Sequence, residues 1–455
     1  MSLAVVILAA GRGTRMHSDR SKVLHPIGGK PLLGHLIETV SQINPVQLVI
    51  VYGFQGEQLK EAFSTHPAIT WVEQREQKGT GHAVLQALPF LLDAVDNVLI
   101  LYGDAPLITA DTIRRLQEKV VKNTLGLITL HTPNPQGLGR IVRDDAGKLI
   151  SIVEEKEATP AQKQISEINT GFFIVPKVWL ERWLPNLSSQ NAQQEYYLSD
   201  IVAHANQENI TIQSIQPEAA CEVMGVNDKA QLATLERFYQ QREAHRFMQQ
   251  GVMLLDPMRF DVRGNVSVGK DVSIDVNVIL EGQVTIKDRV TIGSNVLIKD
   301  TTIENDVHIL ANSVIEGAHI GTHATVGPFA RIRKGTVLDS GARVGNFVEI
   351  KNVTIGASSK INHLSYIGDA IVGNHVNIGA GTITCNFDGK KKHKTIINDG
   401  VFVGSGTQLI APVEIGEKAT IGAGTTVTKN VLANTLVHNR LEQRSVPNWR
   451  KGEEE

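Results

Sequence analysis

Short apolar runs closed by turn residues mark the first half of the chain: AVVILAAG at 4–11, QLVIVYG at 47–53 and NVLILYGD at 97–104. Each is followed by sequence with helical spacing. A run that is apolar at both alternations suits a strand covered on both faces, so this half reads as α/β with a parallel sheet. Such sheets bind ligands beyond the carboxyl ends of their strands, where Gly11, Gly53 and Asp104 fall. Past 227 the strand pattern stops, and Leu232, Leu235, Tyr239, Arg242, Phe247 and Met248 approximate a helical stripe ending at Gly251. The predicted organisation is an α/β domain over 1–227, a linker helix over 228–250 and an all-β domain over 251–455.

From about 252 the period becomes six. Apolar residues recur at Val268, Ile274, Leu280, Ile286, Ile292 and Ile298. The series resumes at Ile303, Ile309, Ile315, Ile320, Val326, Ile332, Leu338, Val344 and Ile350, then runs through Ile361, Ile367, Ile378, Val403, Ile415 and Ile421. Neither a helix nor an ordinary sheet has this period. A coil of three short strands does, with one face per hexapeptide and aliphatic side chains stacked in columns. The pattern therefore predicts a parallel β-helix of hexapeptide repeats, with five-residue steps such as Ile298 to Ile303 absorbed at corners. CNFDGKKKHKT at 385–395 is too polar for the coil and reads as an excursion loop, the kind of insertion that carries binding surface in a solenoid.

Composition mainly excludes. With 455 residues, 42% hydrophobic and 20% charged, the chain can bury ordinary cores. A net charge of −2 with one short basic run at 390–394 offers no field for nucleic acid, which is not expected as a partner. The apolar run at 3–10 has no basic residue before it and is too short to span a bilayer, so no membrane association is expected. Cys221 and Cys385 form no disulfide framework and stand at no metal-ligand spacing, which fits a reducing, cytoplasmic setting.

The run LAAGRGTRM at 8–16 follows a strand and is expected to open a helix, with Gly11 and Gly13 letting backbone N–H groups approach an anion. It lacks the third glycine of a dinucleotide fingerprint and the Gly-Lys-Ser/Thr of a P-loop. Alone, it describes a tight turn with solvated cations as well as a phosphate site. Arg15 and Lys22 supply the fixed positive charge a triphosphate needs. The run resembles the LxxGxGTRM…PK signature of sugar-1-phosphate nucleotidyltransferases, with Ser21-Lys22 where that family has Pro-Lys. The resemblance continues through Gln74, Gly79 and Thr80 in QKGTGHA, Tyr102, Gly103, Asp104, Gly139, Glu154, Asn169 in EINTG and Asn227 in GVND. At this density it is to the bacterial bifunctional N-acetylglucosamine-1-phosphate uridylyltransferase/glucosamine-1-phosphate acetyltransferases, and it covers nearly the whole chain.

That resemblance implies a Rossmann-like domain of the nucleotide-diphospho-sugar transferase type, a linker helix and a left-handed β-helix. It implies attack by a phosphate oxygen of N-acetylglucosamine 1-phosphate on the α-phosphorus of UTP, with pyrophosphate leaving. The nucleophile is already an anion, so the demand is for charge neutralisation by Arg15, Lys22 and Mg²⁺. Asp104 and the amide oxygen of Asn227, with substrate phosphates, are the implied Mg²⁺ shell, since this ion prefers few protein oxygens and keeps other ligands. A strand-end Asp104 read alone is a turn or cap residue. Leu8, Ala9, Ala10, Gly11, Tyr102 and Gly103 are implied to border the nucleotide, Gln74, Gly79 and Thr80 to contact uracil, and Gly139, Glu154 and Asn169 to hold the sugar.

In the β-helix, outward corner residues are ordinarily solvated. His363 in KINHLSYIGD falls in a block, GNFVEIKN through NIGAGTITCNFDG, that resembles the same family and leads into the excursion loop. Acetyl transfer to the amine of glucosamine 1-phosphate needs a base, because an ammonium has no lone pair, and a histidine suits that proton removal. His363 is the candidate base, with Glu349 as the carboxylate that orients or polarises it. The resemblance assigns the sugar phosphate to Arg333, Lys351, Tyr366 and Asn377. It assigns acetyl-CoA to Ala380, Asn386, Phe387, Ser405, Ala423 and Arg440, with Phe387 standing where the family is expected to carry tyrosine. It further implies a homotrimer with acyl sites between neighbours. Two other readings are a single-activity nucleotidyltransferase whose β-helix serves oligomerisation, and a non-catalytic solenoid scaffold.

Overall fold

A computed structural model describes residues 1–53, 55–66, 68–439, 442–447 and 449 of the chain. It divides into two compact units, Met1–Tyr239 and Gln240–Glu455. The helix Lys229–Gln249 contributes its first half to one unit and its second to the other.

The first unit is built on strands β1 (Leu3–Ala9), β2 (Gln47–Tyr52), β3 (Ile69–Glu73), β4 (Asn97–Tyr102), β5 (Thr124–His131), β6 (Arg140–Arg143), β7 (Leu149–Val153), β8 (Glu167–Pro176) and β9 (Thr211–Ile215). Their order across the sheet is β9-β5-β8-β4-β1-β2-β3, with the β6–β7 hairpin joined to β8. β1 lies parallel to both β2 and β4, whereas β8 runs antiparallel to β4 and β5. β1 is buried along its whole length, as an unbroken apolar run between two helical layers requires. Because β2 and β4 flank β1 on opposite sides, a crevice opens beyond the carboxyl ends of β1 and β4.

The segment after β1 departs from expectation. It opens no α-helix but a single 3₁₀ turn, Thr14–Met16, followed by a second, Lys22–Leu24. Gly13 at φ 61° and His17 at φ 46° bracket the first turn in the left-handed region, where a right-handed helix cannot propagate. A side chain at Gly13 would also drive its Cβ to 2.9 Å from Lys22 Cβ.

In the helix Lys229–Gln249, Leu235 and Tyr239 are buried against Met16, Ile27, Leu32, Leu107 and Val226. Ala244 and Phe247 are buried in the core of the second unit, while Arg242 and Met248 face outward.

The second unit is a three-sided parallel coil whose apolar residues stack in register. One column runs Ile274, Ile292, Ile309, Val326, Val344, Ile361, Ile378, Val403, Ile421. A second runs Leu280, Ile298, Ile315, Ile332, Ile350, Ile367. A third runs from Val268 through Ile286, Ile303, Ile320 and Leu338 to Ile415. Each fully buried aliphatic contributes about 1.5–3 kcal/mol of transfer free energy. At one corner, stacked asparagines stand 18 and then 17 residues apart, Asn277 to Asn295 to Asn312. The shorter coil is where the sequence took a five-residue step. The hexapeptide coil and the α/β unit match the expected fold class.

The excursion loop leaves after the strand Ile383–Cys385 and returns at Thr395–Ile397. Asp388 knots it: its Oδ1 accepts from the N–H groups of Lys390 and Lys391 at 2.7 Å, and its Oδ2 lies 2.7 Å from His393 Nε2.

Candidate functional site

Two cavities adjoin in the first unit. One, of about 380 Å³, is bordered by Leu8, Ala9, Ala10, Gly11, Lys22, Gln74, Gly79, Thr80, Tyr102 and Asp104. The other, of about 580 Å³, is bordered by Gly139, Glu154, Asn169 and Asn227, and again by Tyr102 and Asp104. Tyr102 and Asp104 are thus the shared wall, set there because β4 ends between the two. Gly103 borders neither cavity but donates its N–H to the Leu8 carbonyl at 2.8 Å, holding the ends of β1 and β4 together.

The first cavity is shaped by close backbone approach. Gly79 sits at φ 102° with its Cβ direction 2.6 Å from the Tyr196 carbonyl, so a side chain there would clash. Gly53 would place a Cβ 2.7 Å from the Ala10 carbonyl. Gln77 donates from Nε2 to that carbonyl at 2.5 Å and accepts from Arg12 Nε at 3.0 Å. Arg12 and Gln77 border this cavity and were not singled out in the sequence; both flank glycines in the motifs that were. Arg15, by contrast, is exposed and borders neither cavity.

The second cavity holds polar groups with defined partners. Glu154 accepts from Ser199 Oγ at 3.1 Å, and burial raises its carboxyl above the usual range. Gly139 leaves the space that a Cβ would fill 3.3 Å from Glu154 Oε1. Asn169 donates its backbone N–H to the Gly139 carbonyl at 2.8 Å. Its Oδ1 accepts from Gly171 N–H at 2.9 Å, at an irregularity where β8 slips against β5. Burial raises the Tyr102 phenol, so it is a neutral hydroxyl throughout the physiological range.

The Asp104 carboxylate is ion-paired with Lys22. The 225–227 segment is tied beside it by Val226 N–H donating to the Asp104 carbonyl at 2.9 Å. Among the described residues no group of three or more His, Cys, Asp or Glu is arranged to hold a metal. Of the implied donors, one carboxylate, Asp104, and one amide, Asn227, border the second cavity. That is too few for a closed cage and fits an ion such as Mg²⁺, which completes its octahedron with water and phosphate oxygens.

In the β-helix, the register stacks Asn346 on His363, and Asn346 Oδ1 lies 2.9 Å from His363 Nδ1. Continuing that register sets Ala380, Ser405 and Ala423 in line on the following coils. The line is knitted by Gly406 N–H donating to Ala380 and Gly424 N–H to Ser405, each at 2.8 Å. A strip of small side chains therefore runs along the coil to an exposed imidazole. Across the corner, Arg333 stacks on Lys351 and Glu349 on Tyr366. The Tyr366 hydroxyl and Asn386 Nδ2 converge over Gly368, where a Cβ would lie 2.5 and 2.9 Å from them. Lys392 of the excursion loop approaches Lys351 closely enough to lower its ammonium pKa. Arg333 and the Asp369 carboxylate also lie near Lys351.

Glu349, expected to orient or polarise His363, has its carboxylate bonded to Arg333 at 2.7 Å, and the side chain against His363 Nδ1 is Asn346. The strand register explains this, because 346 and 363 face each other across coils while 349 pairs with 366. Asn377 pairs with Lys360 and Phe402 on another face and is not gathered with Arg333, Lys351 and Tyr366. Phe387 is exposed in the loop. Arg440 lies outside the described residues. Lys392 was passed over as part of a basic run, and only the loop's path reveals its position.

Comparison with known proteins gives matches over both units. The chain fits the MobA-like NTP transferase domain over residues 5–251, the GMPPB C-terminal domain over 262–345 and the bacterial transferase hexapeptide (six repeats) over 394–429. It is 52% identical over 452 residues to a protein of Acinetobacter baumannii strain AYE named bifunctional protein GlmU, covering 99% of each chain. Proteins of the same name from Methylococcus capsulatus and Pseudomonas syringae pv. tomato are each 52% identical. The first match covers 100% of this chain and 98% of that protein, the second 99% and 98%.

Proposed function

We infer the function from a premise now in hand: the chain belongs to the family of bifunctional GlmU proteins. It is a bifunctional transferase that makes UDP-N-acetylglucosamine. One activity acetylates glucosamine 1-phosphate with acetyl-CoA, and the other transfers uridylyl from UTP to the product with release of pyrophosphate.

We propose that the nucleotide occupies the cavity beneath Gly11 and Gly79 and the sugar phosphate the cavity of Glu154 and Asn169. The observation that carries this is their common wall, Tyr102 and Asp104. There the sugar-phosphate oxygen meets the α-phosphorus, the new P–O bond forms, and the bond to the leaving pyrophosphate breaks. Mg²⁺ bound by Asp104 and Asn227 would neutralise charge on the phosphates. Lys22, freed from Asp104, supplies a fixed cation to the same oxygens. Arg15 acts, if substrate draws its turn inward, from the surface of the Thr14–Met16 turn.

In the acetyl site, Arg333, Lys351 and Lys392 hold the sugar phosphate with the Tyr366 hydroxyl. His363 takes the amine proton as nitrogen attacks the thioester carbonyl, and as the C–S bond breaks the imidazolium returns that proton to the leaving thiolate, releasing CoA thiol. The pantetheine arm follows Ala380, Ser405 and Ala423, with Asn386 and Phe387 at the loop. Phe329 and Phe347 stack at 5.3 Å beside this corner. They are 49% and 56% exposed, and Leu364 is 62% exposed. We propose that this apolar edge packs on another copy in a homotrimer, which would bring Asn377 of a neighbour to the site. Both cysteines are free, and no helix among the described residues is long and apolar enough to cross a membrane. A reducing cytoplasm is the proposed compartment.

The test uses purified protein with UTP, N-acetylglucosamine 1-phosphate and Mg²⁺, and separately with acetyl-CoA and glucosamine 1-phosphate. Pyrophosphate release in the first and free thiol in the second are expected. Pyrophosphate without thiol would leave the β-helix with an assembly role alone.

A further inference from the structure

Gln74 closes the strand β3 and turns a nearly buried carboxamide, 3% exposed, into the nucleotide cavity. Its Nε2 donates to the Gly79 carbonyl at 3.0 Å. A carbonyl can only accept, so this contact fixes which end of the amide is nitrogen. The same Nε2 lies 3.0 Å from His82 Nδ1, on the first turn of the helix Thr80–Ala87. Both amide hydrogens are thereby committed inside the protein. The group left to face the cavity is Oε1, an acceptor.

For this to hold, His82 Nδ1 must carry a lone pair. Burial and the nearby Lys78 charge lower the imidazole pKa, outweighing the opposing Glu76 carboxylate and a hydrogen bond from the ring to the Glu76 backbone, so the ring is neutral at ordinary pH. The ring is stacked on Tyr196 at 6.3 Å, and its other nitrogen lies 3.3 Å from Gln86 Nε2. With the Gln86 amide turned so that its oxygen accepts, the proton sits on Nε2 and leaves Nδ1 as acceptor.

We propose that His82 is a specificity-determining positioning residue, which locks the Gln74 carboxamide with its oxygen toward the base and so selects uracil over cytosine. Uracil presents an N3–H donor, which an acceptor satisfies. Cytosine presents a bare N3, and two acceptors face to face leave both unpaired in a desolvated site. His82 touches no substrate in this arrangement; it acts through Gln74. The inference rests on the reading that Gln74 faces the base.

The experiment measures kcat/KM of uridylyl and cytidylyl transfer, from UTP and CTP, in the full-length enzyme. His82→Leu removes the acceptor and is expected to lower the UTP/CTP ratio about tenfold, the worth of one buried hydrogen bond. His82→Asn sets an amide oxygen near the former Nδ1 position and is expected to restore most of the ratio. Gln74→Leu tests the underlying reading and should abolish discrimination. If Gln74→Leu abolishes it while His82→Leu leaves it at the wild-type value, the role of His82 is overturned and that of Gln74 stands. An unchanged ratio in Gln74→Leu overturns both. A His82→Leu protein that loses both nucleotides equally, or a His82→Asn protein that fails to recover the ratio, shows a structural residue and overturns the proposal.

Discussion

The ammonium of Lys22 is ion-paired with the carboxylate of Asp104, joining the second turn after β1 to the end of β4. The side chains are only 12% and 20% exposed. In the proposed reaction a divalent cation and a phosphate would each take one partner of this pair. Asp104→Ala should lower uridylyl transfer by at least about 10²-fold while acetyl transfer stays near wild type. Parallel assays of the two activities decide it. A joint fall in a folded protein would show that the sites are not independent.

Tyr239 marks how the linking helix belongs to the first unit. A Cβ on Gly28 would lie 2.0 Å from its ring, and the ring meets His35 edge-on at 5.2 Å. Tyr239→Ala should cost about 3 kcal/mol, shifting heat inactivation of uridylyl transfer down by roughly 6–12 °C. Inactivation of acetyl transfer should move much less, because the β-helix has its own core. Equal shifts for both activities would contradict this.

The coil was legible residue by residue because a period of six can be satisfied by almost nothing else. Every apolar position from Ile274 to Ile421 that the spacing picked out is inside. The glycine at 79 was legible as a crowded backbone position, and at φ 102° its Cβ would lie 2.6 Å from the Tyr196 carbonyl. What the sequence hid were relations set by register. Asn346 lies beside His363 only because one coil separates them, and Lys392 meets Lys351 only because Asp388 knots the loop. The absence of a helix after Gly13 was hidden too, because left-handed backbone at His17 carries no clear sequence mark.

Asp200 offers a pH test. Burial and the Glu157 carboxylate push its carboxyl up to about 6 from 3.8. Between those values the unfolded chain has already released the proton that the folded protein keeps. Asp200 therefore lowers stability progressively as pH rises through this window, with the full penalty above it. Asp200→Asn should stabilise the first unit by about 1 kcal/mol at pH 8, allowing for solvent screening, and by almost nothing near pH 4. Denaturant melts at the two pH values measure the difference. A benefit that is the same at both would place its origin in packing.

For the proposed acetyl site, the bond from His363 to Asn346 bears on which nitrogen would act. With Nδ1–H donating to Asn346 Oδ1, the Nε2 lone pair would be the base. His363→Ala should lower acetyl kcat by roughly 10² to 10⁴ with little change in KM. The loss of one exposed corner side chain should alter stability by no more than about 0.5 kcal/mol. Asn346→Ala keeps the base but releases its ring, and should lower kcat by about tenfold through lost orientation. Glu349→Gln tests whether this carboxylate acts on His363 or on Arg333. Its carboxylate holds Arg333, so the variant should raise KM for glucosamine 1-phosphate and leave kcat nearly intact. A kcat loss in Glu349→Gln as large as that in His363→Ala would instead make Glu349 part of the proton transfer, and would require it to reach the imidazole in the substrate-bound enzyme.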